Sequence, residues 1–257
     1  MKTWAIAKAT IGEAARKRSL LLTLALSLVV ITALGLFAKY VGGRAMTVAK
    51  FAQLEASLRT ISLFGAILTI LVTMYAIPAE LERRTVHTLL SKPLERYQFV
   101  LGKFVGCLLL VAMNIALMAI AAFALLVKDS PDLSRGLAQS LAVLMVSFTA
   151  LCALTIAFST FVPPMPAGLL AFGLYEIGKV PGLFRQMAEA EGLPPVLRAV
   201  SKGVYAAIPY LTPRVNRLNF EAPVLTVAGQ GEAVLYVLLY SAACVVIALA
   251  IFSRKEL

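Results

Sequence analysis

The sequence predicts an all-helical integral membrane protein with six membrane spans, and three observations carry that prediction. The 257 residues are 60% hydrophobic and only 14% charged, where soluble globular chains are roughly 45–50% apolar and about 25% charged. A soluble globule of this length has no interior large enough for the excess. Asp, Glu, Lys and Arg are absent from Leu20 to Ala38, Thr60 to Ala79, Phe104 to Val127, Gly136 to Tyr175 and Ala233 to Ser253, and a helix needs only ~20 mainly apolar residues to cross ~30 Å of hydrocarbon. These runs do not alternate apolar and polar residues, as the ~10-residue strands of a membrane β-barrel would.

The run Gly136 to Tyr175 is 40 residues long, enough for two crossings, and it is interrupted by Pro163-Pro164-Met165-Pro166. Three prolines remove backbone donors and push the preceding residues away from helical angles, so a tight helical hairpin is expected there. The spans are then about 20–38, 61–77, 104–127, 136–162, 167–180 and 233–252. The apolar run Leu20 to Ala38 exceeds the ~7–15 residues of a signal-peptide core, and no A-x-A-like cleavage site follows it. Cys107, Cys152 and Cys244 each lie inside an apolar run without a close second cysteine; they read as small packing residues rather than as a metal knuckle or a disulfide framework. No metal site is expected.

Residues 1–19 have the pattern of a helix lying on the membrane. At 100° per residue, Trp4, Ala7, Ile11, Ala14 and Ala15 share one face, and Lys2, Glu13, Arg16 and Lys17 the other, with Ile6 out of place. Such a segment can bury its apolar side among headgroups while its basic side chains reach anionic lipid. A mechanical helix and a juxtamembrane anchor both fit.

The stretch from Pro78 to Lys103 is charged and punctuated like two helices. Pro78 suits a first helical turn, Leu81 with Leu89 and Val86 with Leu90 give apolar contacts along one segment, and Lys92 before Pro93 is disfavoured as helix. Pro93 can then start a second helix that runs straight into the third span. A rigid helical elbow of this kind is a docking handle for a soluble partner; a solvated loop that holds the helix ends at the interface is the alternative.

The residues of this elbow resemble the signature of type-two ABC exporter permeases. Glu82, Thr85, the pair Leu89-Leu90, Pro93, Arg96 and Gly102-Lys103 leading into the third span match its order and spacing, with Arg84-Thr85 where many members carry Gly-Thr. The resemblance extends loosely over the whole chain and implies a single permease domain. It implies a cytoplasmic loop 78–103 containing a coupling helix, in which Glu80, Glu82, Arg83, Arg84, Thr85, His87, Leu90, Pro93 and Arg96 engage the ATPase and Gly102 and Lys103 lead into the span. It makes residues 1–19 the connecting helix. It further implies a dimer with an identical or different permease, separate ABC ATPase subunits holding ATP and magnesium, both termini cytoplasmic, and a bacterial or archaeal inner membrane. A periplasmic or accessory protein is a further partner of this type; nucleic acid is not.

Charge alone orients the chain weakly. With the amino terminus inside, inner and outer segments each carry 12 Lys/Arg, in 54 and 85 residues respectively, so the positive-inside rule acts only through density. ATP hydrolysis is not expected in this chain. Gly173 to Val180 follows the phosphate-binding pattern G-x-x-x-x-G-K-[ST] up to its last position, but Val180 offers magnesium no hydroxyl and Pro181 follows where a helix should start. His87 is the only histidine, so an H-E-x-x-H zinc helix is excluded, and no G-x-S-x-G elbow occurs.

Ionisable groups inside spans are costly and usually functional, which singles out Glu176 and Lys179, three apart and able to pair near a helix end, and, among neutral residues, Asn114, as polar residues of a translocation path. Asn114, Gln139, Thr69 and Thr73 are expected to hydrogen-bond between helices, and Gly102 with Gly106 forms a G-x-x-x-G that permits close approach. In the outer segment 181–232, Val196, Val200, Val204 and Ile208 recur every four residues as in an interfacial helix, Gly182 to Glu191 suggests a second short helix, and the Pro213 to Asn219-Phe220 stretch resembles an element found before the last span in some family members. The function expected is a permease driven through alternating access by a separate ATPase. The alternative is a non-ABC membrane carrier or the scaffold subunit of a membrane complex; a carrier calls for mid-span coupling carboxylates and repeats, and only Glu176 qualifies.

Overall fold

A computed structural model describes residues 2–15, 18–41, 46–79, 96–126, 131–178 and 230–254, together with 187, 189, 194, 196–199 and 202. Among these residues the chain is helix and turn, with no strand. Among the described residues, the helices described at both ends are, in order, α1 (Lys2–Ala15), α2 (Arg18–Val41), α3 (Met46–Thr73), α4 (Arg96–Leu126), α5 (Pro131–Ser159), α6 (Pro164–Gly178) and α7 (Gln230–Arg254). Five contain a stretch long and apolar enough to cross a membrane: Leu20–Phe37, Leu54–Thr73, Tyr97–Ala124, Leu137–Ser159 and Val234–Ser253.

The helices differ from the charge-free runs, some longer and one shorter. α3 begins at Met46, well before the expected second span, and its early turns hold an exposed Glu55–Arg59 pair at 2.6 Å, the i,i+4 spacing that favours helix outside the hydrocarbon. α6 has 15 described residues, about 22 Å at 1.5 Å per residue and shorter than the ~30 Å hydrocarbon.

The proline break forms the expected hairpin. α5 closes with Thr160 and Phe161 donating to Ala157 and Phe158, while the hydroxyls of Ser159 and Thr160 donate to the Ile156 and Ala157 carbonyls. Pro164 and Pro166 occupy the first turn of α6, where a missing N–H leaves no helix bond unmade, and Ala167 N donates to Pro163 O at 3.0 Å.

α3, α4 and α5 pack on one another at the centre; α2 lies against α3 and α4, α7 chiefly against α5, α6 beside α5, and α1 along α4. Gly65 of α3 lies beneath the Phe148 ring of α5, where a Cβ would meet the ring at 2.7 Å. That ring stacks on Tyr175 of α6 at 6.2 Å between centroids, and both rings are fully buried. One aromatic column thus ties three helices together. Cys107, Cys152 and Cys244 are buried thiols in the helix contacts, as packing residues should be.

The polar residues of the spans behave differently from the interhelical expectation. Thr69 donates to Gly65 O and Thr73 to Thr69 O, both at 2.7 Å, and Asn114 Nδ2 donates to Leu110 O at 2.9 Å. Each bonds a carbonyl one turn back in its own helix. Without water, the nearest free lone pair is that of the preceding turn, and short hydroxyl side chains reach it without a partner helix. Gln139 Oε1 has no hydrogen-bond partner among the described residues.

Candidate functional site

The elbow joins the end of α3 to the start of α4, two helices that pack on one another. On the α3 side the chain tightens into a turn, with Met74 N donating to Ile70 O, Ala76 N to Thr73 O and Ala79 N to Tyr75 O. On the α4 side the helix is continuous from Arg96 to Leu126, so the expected run of an elbow helix into the third span holds from Arg96 onward. Glu80, Glu82, Arg83, Arg84, Thr85, His87, Leu90 and Pro93 lie outside the described residues, as does Lys179.

The first turns of α4 are where three chain segments meet. Phe99, 5% exposed, stacks on Phe252 near the end of α7, with centroids 5.8 Å apart and planes 20° from parallel. Lys103 is 4% exposed and places its Nζ 5.9 Å from the Phe99 centroid, so the basic residue of the Gly102-Lys103 pair is built into the helix junction rather than displayed. One turn on, Gly106 meets α1: a Cβ there would lie 2.9 Å from Thr10 Cβ and 3.0 Å from both the Cα and the carbonyl oxygen of Ala7. Gly106, the second glycine of the G-x-x-x-G, allows close approach, and the partner brought close is the amino-terminal helix.

That contact divides the apolar face expected for α1, since Ala7 and Ile11 pack inward while Trp4 does not. Ala7 is fully buried and Thr10 nearly so, with its hydroxyl on Ile6 O at 2.9 Å, while Trp4 is 62% exposed. The helix turns small residues toward α4 because only small side chains let two backbones touch; the tryptophan is left on the outside, free to sit in lipid. Composition alone ranks Trp4 above Ala7 as an apolar contact, and so misses this seam.

Asn114 lies eleven residues past Lys103, about 16 Å further along α4, and is 7% exposed. Glu176, part-buried, is twelve residues from the start of α6 at Pro164, about 18 Å along it. α5 separates α4 from α6, which share no substantial packing, so the two polar residues of the proposed path are not brought together within this chain.

A second feature was not legible in the sequence. Between α3 and α6 lies an open apolar groove of about 640 Å³, lined by Ile67, Ile70 and Met74 on one wall and Met165, Leu169 and Phe172 on the other. Its floor is Gly168, where a Cβ would lie 2.9 Å from Ile70 Cγ2 and 3.0 Å from Met74 Sδ.

Comparison with known families now decides the class. The family described as "ABC-2 family transporter protein" matches residues 4–257. The chain belongs to the ABC-2 transporter family. It is an integral membrane protein of the permease type, a kind of subunit that in general is not catalytic and works with an ABC ATPase. No curated protein matches the chain. Family membership removes the non-ABC alternative and leaves the direction, the coupling residues and the assembly as matters of proposal.

Proposed function

We propose that this chain is the permease subunit of an ABC exporter, one permease domain over its whole length, paired with a second permease and moved by separate ATPase subunits. The observation that carries the reading is the unbroken α4, which leaves the elbow at Arg96 with α1 and α7 fixed to its first three turns at Gly106 and Phe99. Force applied to residues 80–95 has a stiff lever to act on, and through it reaches the amino-terminal helix and the last span together. Alternating access needs such joint motion.

In this reading Glu80, Glu82, Arg83, Arg84, Thr85, His87, Leu90, Pro93 and Arg96 form the docking surface for the ATPase, and the elbow faces the cytoplasm of a bacterial or archaeal cell. α6 belongs to the fifth of six crossings. Asn114 and Glu176, with Lys179, polarise the path, and since α4 and α6 stand apart within one chain, they belong to different parts of it. ATP and magnesium reside in the partner. Substitution of Glu80, Glu82 and Arg83 together by alanine is expected to release the copurifying ATPase while the permease still inserts and purifies. Full retention of the ATPase, with its activity still responding to the permease, would sink the coupling assignment.

A further inference from the structure

We propose that Lys103 is a positioning residue, whose buried charge acts through the Phe99 ring to hold the first turns of α4 against the end of α7. Its bearing on transport rests on the ATPase-driven reading above; the junction itself does not.

A charge in this place is costly. Lys103 lies seven residues past Arg96, about 10 Å along α4, inside the apolar stretch Tyr97–Ala124, and it is buried. Lysine is almost never so enclosed unless something holds its charge, and ionisable groups within spans are usually functional. An unbranched apolar side chain would fill the same space without the cost of taking an ammonium group out of water. Where the charge goes is set by the helix. Helical side chains lean toward the amino terminus, and Lys103 leans back one turn, so that Nζ lies over the Phe99 ring. A cation within about 6 Å of a ring centroid is drawn to the negative face of the ring.

Phe99 is in turn the residue by which α4 stacks on Phe252 of α7. The torsion that turns a phenyl ring about its own axis is soft, so Phe99 alone could offer Phe252 many planes. A cation over its face selects one, and the plane selected is 20° from that of Phe252. A neutral side chain could pack beside the ring, but only a charge orients it through its electrons. Position on the helix adds to this. At 100° per residue, Phe99, Lys103, Gly106 and Leu110 fall within about 60° of one another, and all four are buried. Lys103 therefore stands between the α7 contact at Phe99 and the α1 contact at Gly106, on one face of α4. Motion entering α4 from the elbow meets it between the two attachments.

The test uses the full-length protein in lipid nanodiscs, with Phe99 replaced by phenylalanine carrying one, two or three ring fluorines. Fluorine draws electron density from the ring face and leaves its shape nearly unchanged, so it weakens attraction to a cation and spares packing. Hydrogen exchange at the start of α4 and the end of α7 should quicken with each fluorine, reaching about fivefold for three, the change that about 1 kcal/mol produces. Exchange around Phe148 should stay constant. Lys103→Met should quicken the junction by a similar factor, and in that background the grading with fluorine number should vanish. Equal grading with and without the lysine, no grading in either, or slower exchange in Lys103→Met would overturn the proposal, since the ring would then act by packing alone. For transport, Lys103→Met should retain the copurifying ATPase and lose several-fold of its stimulation by the permease. Full stimulation of a loosened junction would overturn the positioning role. Failure of any ATPase to copurify with the unaltered chain would overturn the ATPase reading instead, with the junction still judged by exchange.

Discussion

α4 and α6 both meet a neighbouring helix through a glycine, and the two contacts differ in what lies across from it. At Gly106 the neighbour is backbone, the Cα and carbonyl of Ala7 at 3.0 Å from a would-be Cβ. At Gly168 the nearest atoms belong to side chains, Ile70 Cγ2 and Met74 Sδ. The first is a rigid seam in a helix that touches five others; the second is a floor under a groove, on a helix whose buried residues are the narrow row Ala167, Gly168, Ala171, Tyr175 and Gly178. A small residue against backbone brings two helix axes together, whereas a small residue against side chains lets those side chains pack over it. The central seam and the exposed edge of this permease are built around the same residue type.

The largest effect should come from the column that joins the two regions. Phe148→Ala removes a fully buried ring that covers Gly65 and stacks on Tyr175. Such truncations cost about 3–5 kcal/mol in soluble cores. The low end is expected here, because lipid is as apolar as the ring and the transfer contribution is small. Thermal unfolding in mild detergent would measure it. Loss of α6 contacts with retention of α1 on α4, read by site-specific cross-linking, would show that the column anchors only the edge.

Next comes the seam itself. Gly106→Ala forces a methyl group against atoms that cannot rotate away, and overpacking of this kind costs about 1–3 kcal/mol, more than the ~0.5–1 kcal/mol that a helical glycine gains on becoming alanine. The variant should melt earlier and loosen α1. An unchanged melting temperature would mean that α1 moves off α4 without cost, and the lever would then lack its amino-terminal attachment. Phe252→Leu is smaller: it keeps apolar bulk at the end of α7 but removes the aromatic pairing with Phe99, worth about 0.5–1.5 kcal/mol, again read from the melting temperature.

Much of this architecture was legible in the sequence, and the reasons are physical. Charge-free runs of twenty residues have one stable form in lipid, and Pro163 to Pro166 can only be a break, so the helices and the hairpin could be read directly. The elbow could be placed by Arg96, Gly102 and Lys103, which do lead without interruption into α4. Pairings across helices could not be read. Thr69, Thr73 and Asn114 bond back to their own helix because hydroxyls and amides find the nearest carbonyl first, and the close approach of Ala7 and Thr10 to Gly106 depends on two helices meeting backbone to backbone. The groove escapes sequence reading altogether. It depends on α6 approaching α3 at Gly168, a relation between helices far apart in the chain.

The smallest prediction sharpens the comparison because it reverses a sign. Gly173 sits one and a half turns beyond Gly168 in α6, part-buried, yet an added Cβ there meets nothing within 4 Å. Gly173→Ala therefore removes backbone freedom from the unfolded chain and adds no clash, and a gain of up to ~0.5–1 kcal/mol is expected. The same chemical change then destabilises α4 at Gly106 and stabilises α6 at Gly173. Two melting curves decide it. If both variants fall by similar amounts, the glycines act through helix flexibility rather than through the atoms opposite them, and the distinction between seam and edge fails with that result. If they part in opposite directions, the geometry across each glycine is what sets its role.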